Sequence, residues 1–313
     1  MARPNKAQHK IPRIYLEAFT DSSGLLWVGD KGFNLFSRKP SHVLTEKDYY
    51  TIRFKTGGGT LNIETKYLGG IEGAYSRVYR NKIAKRLPID LHDKAILAIF
   101  LASIVERQPG RRQSLEKFFN DVREITEHMR NLPEASKKAM ASLPHSSGPS
   151  IPADDLLKMG EDIGSLHTAL IPEGVKDIAH IVFDMKWAFM VRPKNCVPFI
   201  TSDNPAVMVN PVAEAKWGVG KIVSSPGLGQ KDVELSLPLS SDIALICGWL
   251  MTMDCMYVPV TEKEVLDMNR RIKRHARTII CSDKKILGEM IENVRAYKEK
   301  KAKDELNKIR NET

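Results

Sequence analysis

The chain has 313 residues, of which 42% are hydrophobic and 27% are charged, and these ordinary globular values exclude wholesale disorder. No apolar run reaches the roughly 18 residues that a membrane span needs, and the first residues lack the apolar region of a signal peptide. We therefore expect a cytoplasmic protein with no membrane partner. The formal net charge of +10 favours DNA or RNA as a partner, although the same charge also serves solubility alone.

Residues 1–143 are predicted to form a mainly helical front half. A short helix is indicated at 11–19, where apolar residues recur at helical spacing around Pro12. Two short apolar strands joined by Gly29-Asp-Lys-Gly32 then predict a hairpin. Three longer helices are predicted from amphipathic or apolar runs, at 61–86, 90–107 and 113–141.

Residues 144–152, rich in Pro, Ser and Gly, are the predicted linker to a mixed back half at 153–297. Thr261 and Glu264 form a capping box that predicts a helix to about residue 280, and a Lys-rich helix follows, with a tail at 298–313. The other predicted elements are a helix at 154–171 and strands at 178–183, 188–191, 199–200, 206–209, 233–237 and 243–247.

These elements predict a single α+β domain over residues 1–313. In it, the helical front half packs on a mixed, mainly antiparallel β-sheet, and helices form the C-terminus. The four cysteines lack Cys-x-x-Cys spacing, which favours reduced core thiols over zinc ligands or disulfides.

A polar stretch, Thr201-Ser-Asp-Asn-Pro205, interrupts an otherwise apolar strand. Buried polar groups are costly unless they are hydrogen-bonded, and Asn before Pro favours a turn, so the side chains of Ser202, Asp203 and Asn204 are expected at a strand end. Ser240 ends a second apolar strand in the same way, and two such ends can face one cleft. A capped strand end with a tight turn explains the pattern equally well.

Several motifs in a fixed order resemble an uncharacterised bacterial family known as domain of unknown function 4238. These motifs are His9-x-x-Pro12-x-x-Tyr15-Leu16-x-x-Phe19, Glu46-Lys-Asp-Tyr-Tyr50, Glu64 with Ile71-Glu72, Arg107-x-Pro109, Phe199-Ile-Thr-Ser-Asp-Asn-Pro205 and Pro238-Leu-Ser240. The resemblance spans roughly residues 8–285 and implies cytosolic bacterial proteins of one globular domain, without an established reaction. The residues that match the family pattern are His9, Glu72, Arg107, Ser202, Asp203 and Asn204.

The first functional hypothesis is a nucleic-acid-directed hydrolase, that is, a metal-dependent phosphodiesterase or nuclease acting as a toxin or a phage-defence effector. In it, Asp203 and Glu72 hold Mg or Mn, with Glu64 as a further carboxylate. A His or a carboxylate activates water, and Arg107 or Arg111 steadies the phosphate. The predicted catalytic residues are His9, Glu72, Arg107 and Asp203. The predicted substrate-binding residues are Arg111, Ser202, Asn204 and Ser240. Because these residues are far apart in the sequence, the hypothesis requires them to converge in one cleft.

In the second hypothesis, the same polar residues form a structural hydrogen-bond network in a non-catalytic module that binds nucleic acid or another protein. Under either hypothesis we expect no nucleotide cofactor, because no Gly-x-Gly-x-x-Gly motif follows a strand. Nor does the chain contain the Gly-x-Ser-x-Gly motif of serine hydrolases. The predicted phosphate-contacting surface combines the C-terminal helices with five basic residues, Arg77, Arg80, Lys82, Lys85 and Arg86.

Overall fold

The computed structural model of the protein describes residues 7–30, 32–54, 56–141, 151–218 and 227–296. The helices are α1 (Arg13–Leu16), α2 (Gly69–Val78), α3 (Leu91–Arg107), α4 (Pro109–Arg130), α5 (Glu134–Ala141), α6 (Ala153–Met159), α7 (Ile163–Asp184), α8 (Pro211–Trp217), α9 (Glu262–His275) and α10 (284–296). The strands are β1 (Ala7–His9), β2 (Leu26–Gly29), β3 (Leu35–Arg38), β4 (Thr45–Lys47), β5 (Ile52–Arg53), β6 (Gly59–Thr60), β7 (Lys186–Val191), β8 (Thr201–Ser202), β9 (Val207–Val209), β10 (Glu234–Pro238), β11 (Ile243–Gly248), β12 (Met256–Pro259) and β13 (Ile279–Cys281).

Two larger sheets make up most of the β structure. The first has the strand order β12-β7-β11-β10-β9 and is antiparallel except for the parallel pair β12–β7. The second has the order β3-β2-β13-β8 and is antiparallel throughout. The second sheet joins strands from both halves of the chain, and β1–β4 and β5–β6 form two small ladders. The predicted α+β class, with a mixed but mainly antiparallel sheet, is confirmed.

Helix α3 lies at the centre of the helical layer. Asp90 caps its first turn, because the Asp90 carboxylate accepts a hydrogen bond from the backbone N–H of Asp93 at 2.8 Å. Its apolar run buries Leu97, Phe100 and Ile104 against α2, α7 and the five-stranded sheet. The helix end therefore delivers residues 106–108 to the interior, and all three are buried.

Several predicted elements are wrong, including the helix predicted at 154–171, which is divided between α6 and α7, and the strand predicted at 199–200, which lies at 201–202. The strand predicted at 178–183 is part of α7, whose buried residues Val175, Ile178 and Val182 recur at helical spacing. The helix predicted at 113–141 is two helices, α4 and α5, because Pro133 lacks the N–H that a continuous helix needs. The helix predicted to end near residue 280 ends at His275, and the β-branched residues that follow form the inner strand β13.

Other predictions are confirmed or need smaller changes. The long second helix is present at 62–83, with π-helical turns at Ile63–Leu68 and Tyr79–Ile83 around α2. The front half also contains strands β1 to β6. The thiols of all four cysteines are free. Within the described ranges, no helix is both long enough and apolar enough to cross a membrane. Residues 144–150 of the predicted linker and the predicted tail at 298–313 lie outside the described residues.

Candidate functional site

Arg107 lies at the C-terminal end of α3 with only 2% of its surface exposed. Its Nη1 donates to Glu72 Oε1 at 2.6 Å, its Nη2 to the carbonyl of His9 at 2.7 Å and its Nε to the Tyr50 hydroxyl at 2.9 Å. Burial opposes the charge, but the contacts with Tyr50 and Glu72 outweigh it and hold the pKa of Arg107 above its usual value. One buried cation thus ties β1, α2, α3 and the segment after β4 together.

Gln8 extends this network toward Glu64. The Gln8 side chain is fully buried, donates from Nε2 to Glu64 Oε2 at 2.8 Å and accepts from the backbone N–H of Tyr50 at 2.5 Å. The Tyr50 hydroxyl donates in turn to the carbonyl of Lys10 at 3.2 Å. Gln8 and Tyr50 were not among the predicted site residues, although both adjoin or belong to the motifs around His9 and 46–50.

His9 lies beside this network and is partly exposed. Its Nε2 is 3.2 Å from the carbonyl oxygen of Pro40. Burial lowers the pKa of His9 below 6.5, partly offset by the Pro40 carbonyl and by Glu72, whereas Arg107 lowers it further. The lowered pKa favours the neutral imidazole. With Nε2 donating to Pro40, Nδ1 is left as an acceptor.

Asp203 holds the turn between α9 and β13. Its Oδ1 accepts hydrogen bonds from the backbone N–H groups of Arg277 at 2.8 Å and Thr278 at 3.1 Å, and its own N–H donates to the Thr278 carbonyl at 3.1 Å. Asn204 Nδ2 donates to the carbonyl of His275 at 3.3 Å, and Ser202 Oγ accepts from the backbone N–H of Asn204 at 3.0 Å. The polar stretch thus fixes the backbone at 275–278, although Asn204 Oδ1 is buried with no hydrogen-bond partner among the described residues.

Ser240 caps the turn between β10 and β11, because its Oγ accepts from the backbone N–H groups two and three residues further on, each at 3.1 Å. The two polar strand ends meet at Tyr15, whose hydroxyl is 2.7 Å from both Thr201 Oγ1 and the carbonyl oxygen of Pro238. They are therefore neighbours. The described contacts of Ser202 are those of a turn cap, and Ser240 adds to its cap a hydrogen bond with the Tyr79 side chain.

Arg111, predicted to bind substrate, forms an ion pair with Glu106. The Glu106 carboxylate is buried against α7, where a Cβ at Gly174 would lie 2.6 Å from Glu106 Cδ. Arg111 is half-exposed and neutralises this buried carboxylate. Its described role is therefore to compensate a core charge.

The structure brings His9, Glu72 and Arg107 together, whereas Asp203 is engaged at the 275–278 turn. Asp203 lines a polar cavity of about 470 Å³, whose walls also include Lys10 and the side chain of Arg277. Lys10 is the chain neighbour of His9, so this cavity adjoins the Arg107 network. In the described ranges, no group of three or more His, Cys, Asp or Glu side chains is placed to hold a metal ion.

A second cavity, of about 530 Å³, lies between α9, the β2–β3 hairpin and α10, and we call it the cationic groove. Its cationic lining residues are Arg270, Lys273, Arg274 and Arg277. Asp30 is the one carboxylate among the described lining residues. Arg277 lines both cavities, so the turn that Asp203 fixes forms the ridge between them.

The cations of the groove differ in how they are neutralised. Arg270 pairs with Asp267 at 2.5 Å and Arg274 pairs with Glu214 at 3.2 Å. In contrast, Lys273 Nζ donates to the backbone carbonyl of Met290 at 3.1 Å, and Arg277 Nη2 donates to the side-chain carbonyl of Gln113 at 3.0 Å.

Lys273 and Arg277 thus point their positive charges at neutral oxygen atoms. Burial lowers the pKa of Lys273, which shows that its ammonium group is partly desolvated. An ammonium group has three donors, so Lys273 can accept an anion as a further partner. Both residues lie in the C-terminal part of the chain whose helices are predicted to contact phosphate, and no local pattern distinguishes them from the other basic residues there.

A family model described as "Protein of unknown function (DUF4238)" matches residues 7–285. The chain therefore belongs to this family, as its motifs indicated. No curated protein and no solved structure matches the chain.

Proposed function

We propose that this member of the DUF4238 family binds nucleic acid through the cationic groove, without catalysis, and that the Thr201–Pro205 stretch is its scaffold. The observation behind the proposal is the charge of the groove, in which four cations face one carboxylate among the described lining residues. Two of those cations, Lys273 and Arg277, bond to neutral oxygens in the described structure. A phosphate would supply the missing negative charge.

The chemistry of the groove suits phosphate. Arginine presents a planar fork of donors that can hold two phosphate oxygens at once, and lysine adds a point charge. The partial burial of Lys273 strengthens its attraction to an anion, because the surroundings screen charge less than water does. The net charge of +10 further favours the approach of a polyanion.

The scaffold role of the polar stretch follows from the bonds of Asp203. Its carboxylate accepts the backbone N–H of Arg277 and so fixes the point from which that side chain reaches the groove. A residue that positions another side chain in this way need not contact the ligand itself. The four free thiols also support a cytoplasmic location for this function.

Fluorescence anisotropy with a labelled oligonucleotide, measured over a series of salt concentrations, tests the proposal. We expect binding to weaken steeply with salt, and Arg277→Gln to reduce the logarithmic slope by about 0.7 to 0.9, the value for one lost phosphate contact. The matched control is Arg123→Gln, which removes an exposed arginine of α4 that bonds to Asn120. Binding that does not depend on salt, or equal losses in both variants, would contradict the proposal.

A metal-dependent nuclease, acting as a toxin or a phage-defence effector, is the second candidate. The observation that favours it is the partly exposed His9 beside Glu72. Burial lowers the pKa of His9 and so favours the neutral imidazole, which can accept a proton from water. We expect such an enzyme to cut the oligonucleotide only when Mg or Mn is added, and His9→Gln to stop the cutting without lowering the melting temperature. Binding without cleavage under these conditions would leave the non-catalytic function as the better account.

A further inference from the structure

We infer that the cationic groove takes single-stranded nucleic acid, with phosphates on its cationic side and an unpaired base against its apolar floor. This inference rests on the proposed function and adds the class of ligand. The floor is formed by Phe33, Ile279, Met290, Ile291 and Val294.

The floor has the chemistry of a surface for bases. All of its side chains except Ile291 are partly exposed, so an apolar strip runs beside the cations. A double helix stacks its bases inside and presents sugars and phosphates outward, so it would leave this strip exposed to water. A single strand can place the face of a base on the strip, which removes apolar surface of both partners from water.

The cations and the apolar floor are close enough to contact the phosphate and the base of a single nucleotide. Arg270, Lys273 and Arg274 recur at helical spacing and so lie on one face of α9. The 3.1 Å bond from Lys273 Nζ to the backbone carbonyl of Met290 places the ammonium group directly beside a floor residue. A phosphate bound by Lys273 would therefore position the attached base near Met290.

Asp30, the carboxylate that lines the groove, is already engaged by hydrogen bonds within its own turn. Asp30 Oδ1 accepts from the backbone N–H groups of Gly32 at 2.8 Å and Asn34 at 3.0 Å, and the Asn34 side chain donates to both carboxylate oxygens. The Asp30 charge is thus used to hold its own hairpin turn. That turn contributes Phe33 to the floor, an aromatic ring of the kind that stacks with a base. The guanidinium carbon of Arg295 lies 5.5 Å from the centroid of this ring and adds a further cation beside it.

The test compares three labelled probes with the same number of phosphates on the binding strand. They are a single-stranded oligonucleotide, an abasic oligomer with the same sugar–phosphate chain, and a duplex. We expect the single strand to bind about tenfold more tightly than the abasic oligomer and the duplex at equal salt, because only it offers unpaired bases. Phe33→Leu keeps an apolar side chain but removes the ring, and we expect it to reduce the preference for the single strand over the abasic oligomer several-fold.

The outcomes separate the two proposals. If the abasic oligomer or the duplex binds as tightly as the single strand, while Arg277→Gln still weakens all three, the groove binds phosphates and the inference about bases is overturned. If none of the probes binds, the proposed function itself fails. If Phe33→Leu melts earlier than the wild type, Val294→Ser provides a second change to the floor, and an unchanged preference for bases in that variant would also count against the inference.

Discussion

Asp203 offers the most direct test of the scaffold, because a structural role and a metal-binding role predict different effects of mutation. Its Oδ1 accepts from the backbone N–H groups of Arg277 and Thr278, and the residue is only 8% exposed. Asp203→Ala would leave both N–H groups without this acceptor, at about 1–3 kcal/mol for each one that stays buried. Since both hydrogen bonds lie in a part-buried environment, where the N–H groups can partly regain water, we expect a total loss of about 2–4 kcal/mol.

Asp203→Asn is the matched variant, because an amide oxygen can still accept both hydrogen bonds but has no negative charge. Hydrogen bonds to charged groups contribute about 1 kcal/mol more than neutral ones, so we expect a loss of about 1 kcal/mol. Urea unfolding measures both losses, and the transition slope should stay constant if only stability changes. If Asp203→Ala unfolds within about 0.5 kcal/mol of the wild type, the scaffold argument is refuted. A stable Asp203→Asn variant that loses a metal-dependent activity would support the hydrolase instead.

Further substitutions test the buried residues that surround the site. Arg107→Lys should lower stability by about 3–5 kcal/mol in urea unfolding, because a lysine cannot reproduce the buried fork, and a near-neutral result would contradict the structural role. Gly174→Ala should lower the melting temperature, because its Cβ would approach the Glu106 carboxylate, whereas Gly70→Ala has open space and should raise stability by about 0.5–1 kcal/mol. Burial lowers the pKa of His167 below 6.5, so the unfolded chain binds its proton more readily. The stability that the neutral His167 contributes is present above about pH 6.5 and is lost as the pH falls through the pKa of the folded state. In unfolding measured at several pH values, we expect His167→Gln to lose less stability than the wild type as the pH falls.

The sequence was most informative where local signals agreed with one another. Thr261 caps α9 as predicted, and apolar runs identified α3, which begins within a residue of its predicted start, and the strands β7, β10 and β11. The strand predicted at 178–183 failed because a short apolar run with β-branched residues does not distinguish a strand from a buried helix. The wider window from Val175 to Val182 contains the helical spacing that would have corrected it.

The site itself could be predicted only in part, for a physical reason. Buried polar residues such as Arg107 and Asp203 stand out in a sequence because they interrupt apolar runs, and such interruptions are costly unless they are satisfied. Their partners could not be inferred, since Asp203 bonds to a turn 74 and 75 residues away. Lys273 and Arg277 lie among other basic residues, where nothing local distinguishes a cation bonded to a neutral oxygen from one in an ion pair. The sequence therefore indicates that the C-terminal helices are basic, but not which of their cations line one groove.

The scaffold residue Asp203 can nevertheless influence binding without contacting a ligand. Arg277 is anchored twice, by its backbone N–H on Asp203 and by its guanidinium on Gln113. A flexible side chain that becomes fixed on binding costs about 0.5–1.5 kcal/mol, and an arginine that is already anchored avoids part of that cost. Loss of the Asp203 anchor should therefore weaken nucleic-acid binding even in the molecules that remain folded, because Asp203 positions the backbone of Arg277. For this reason, the residues that match the family pattern can matter for function while the ligand lies against their neighbours.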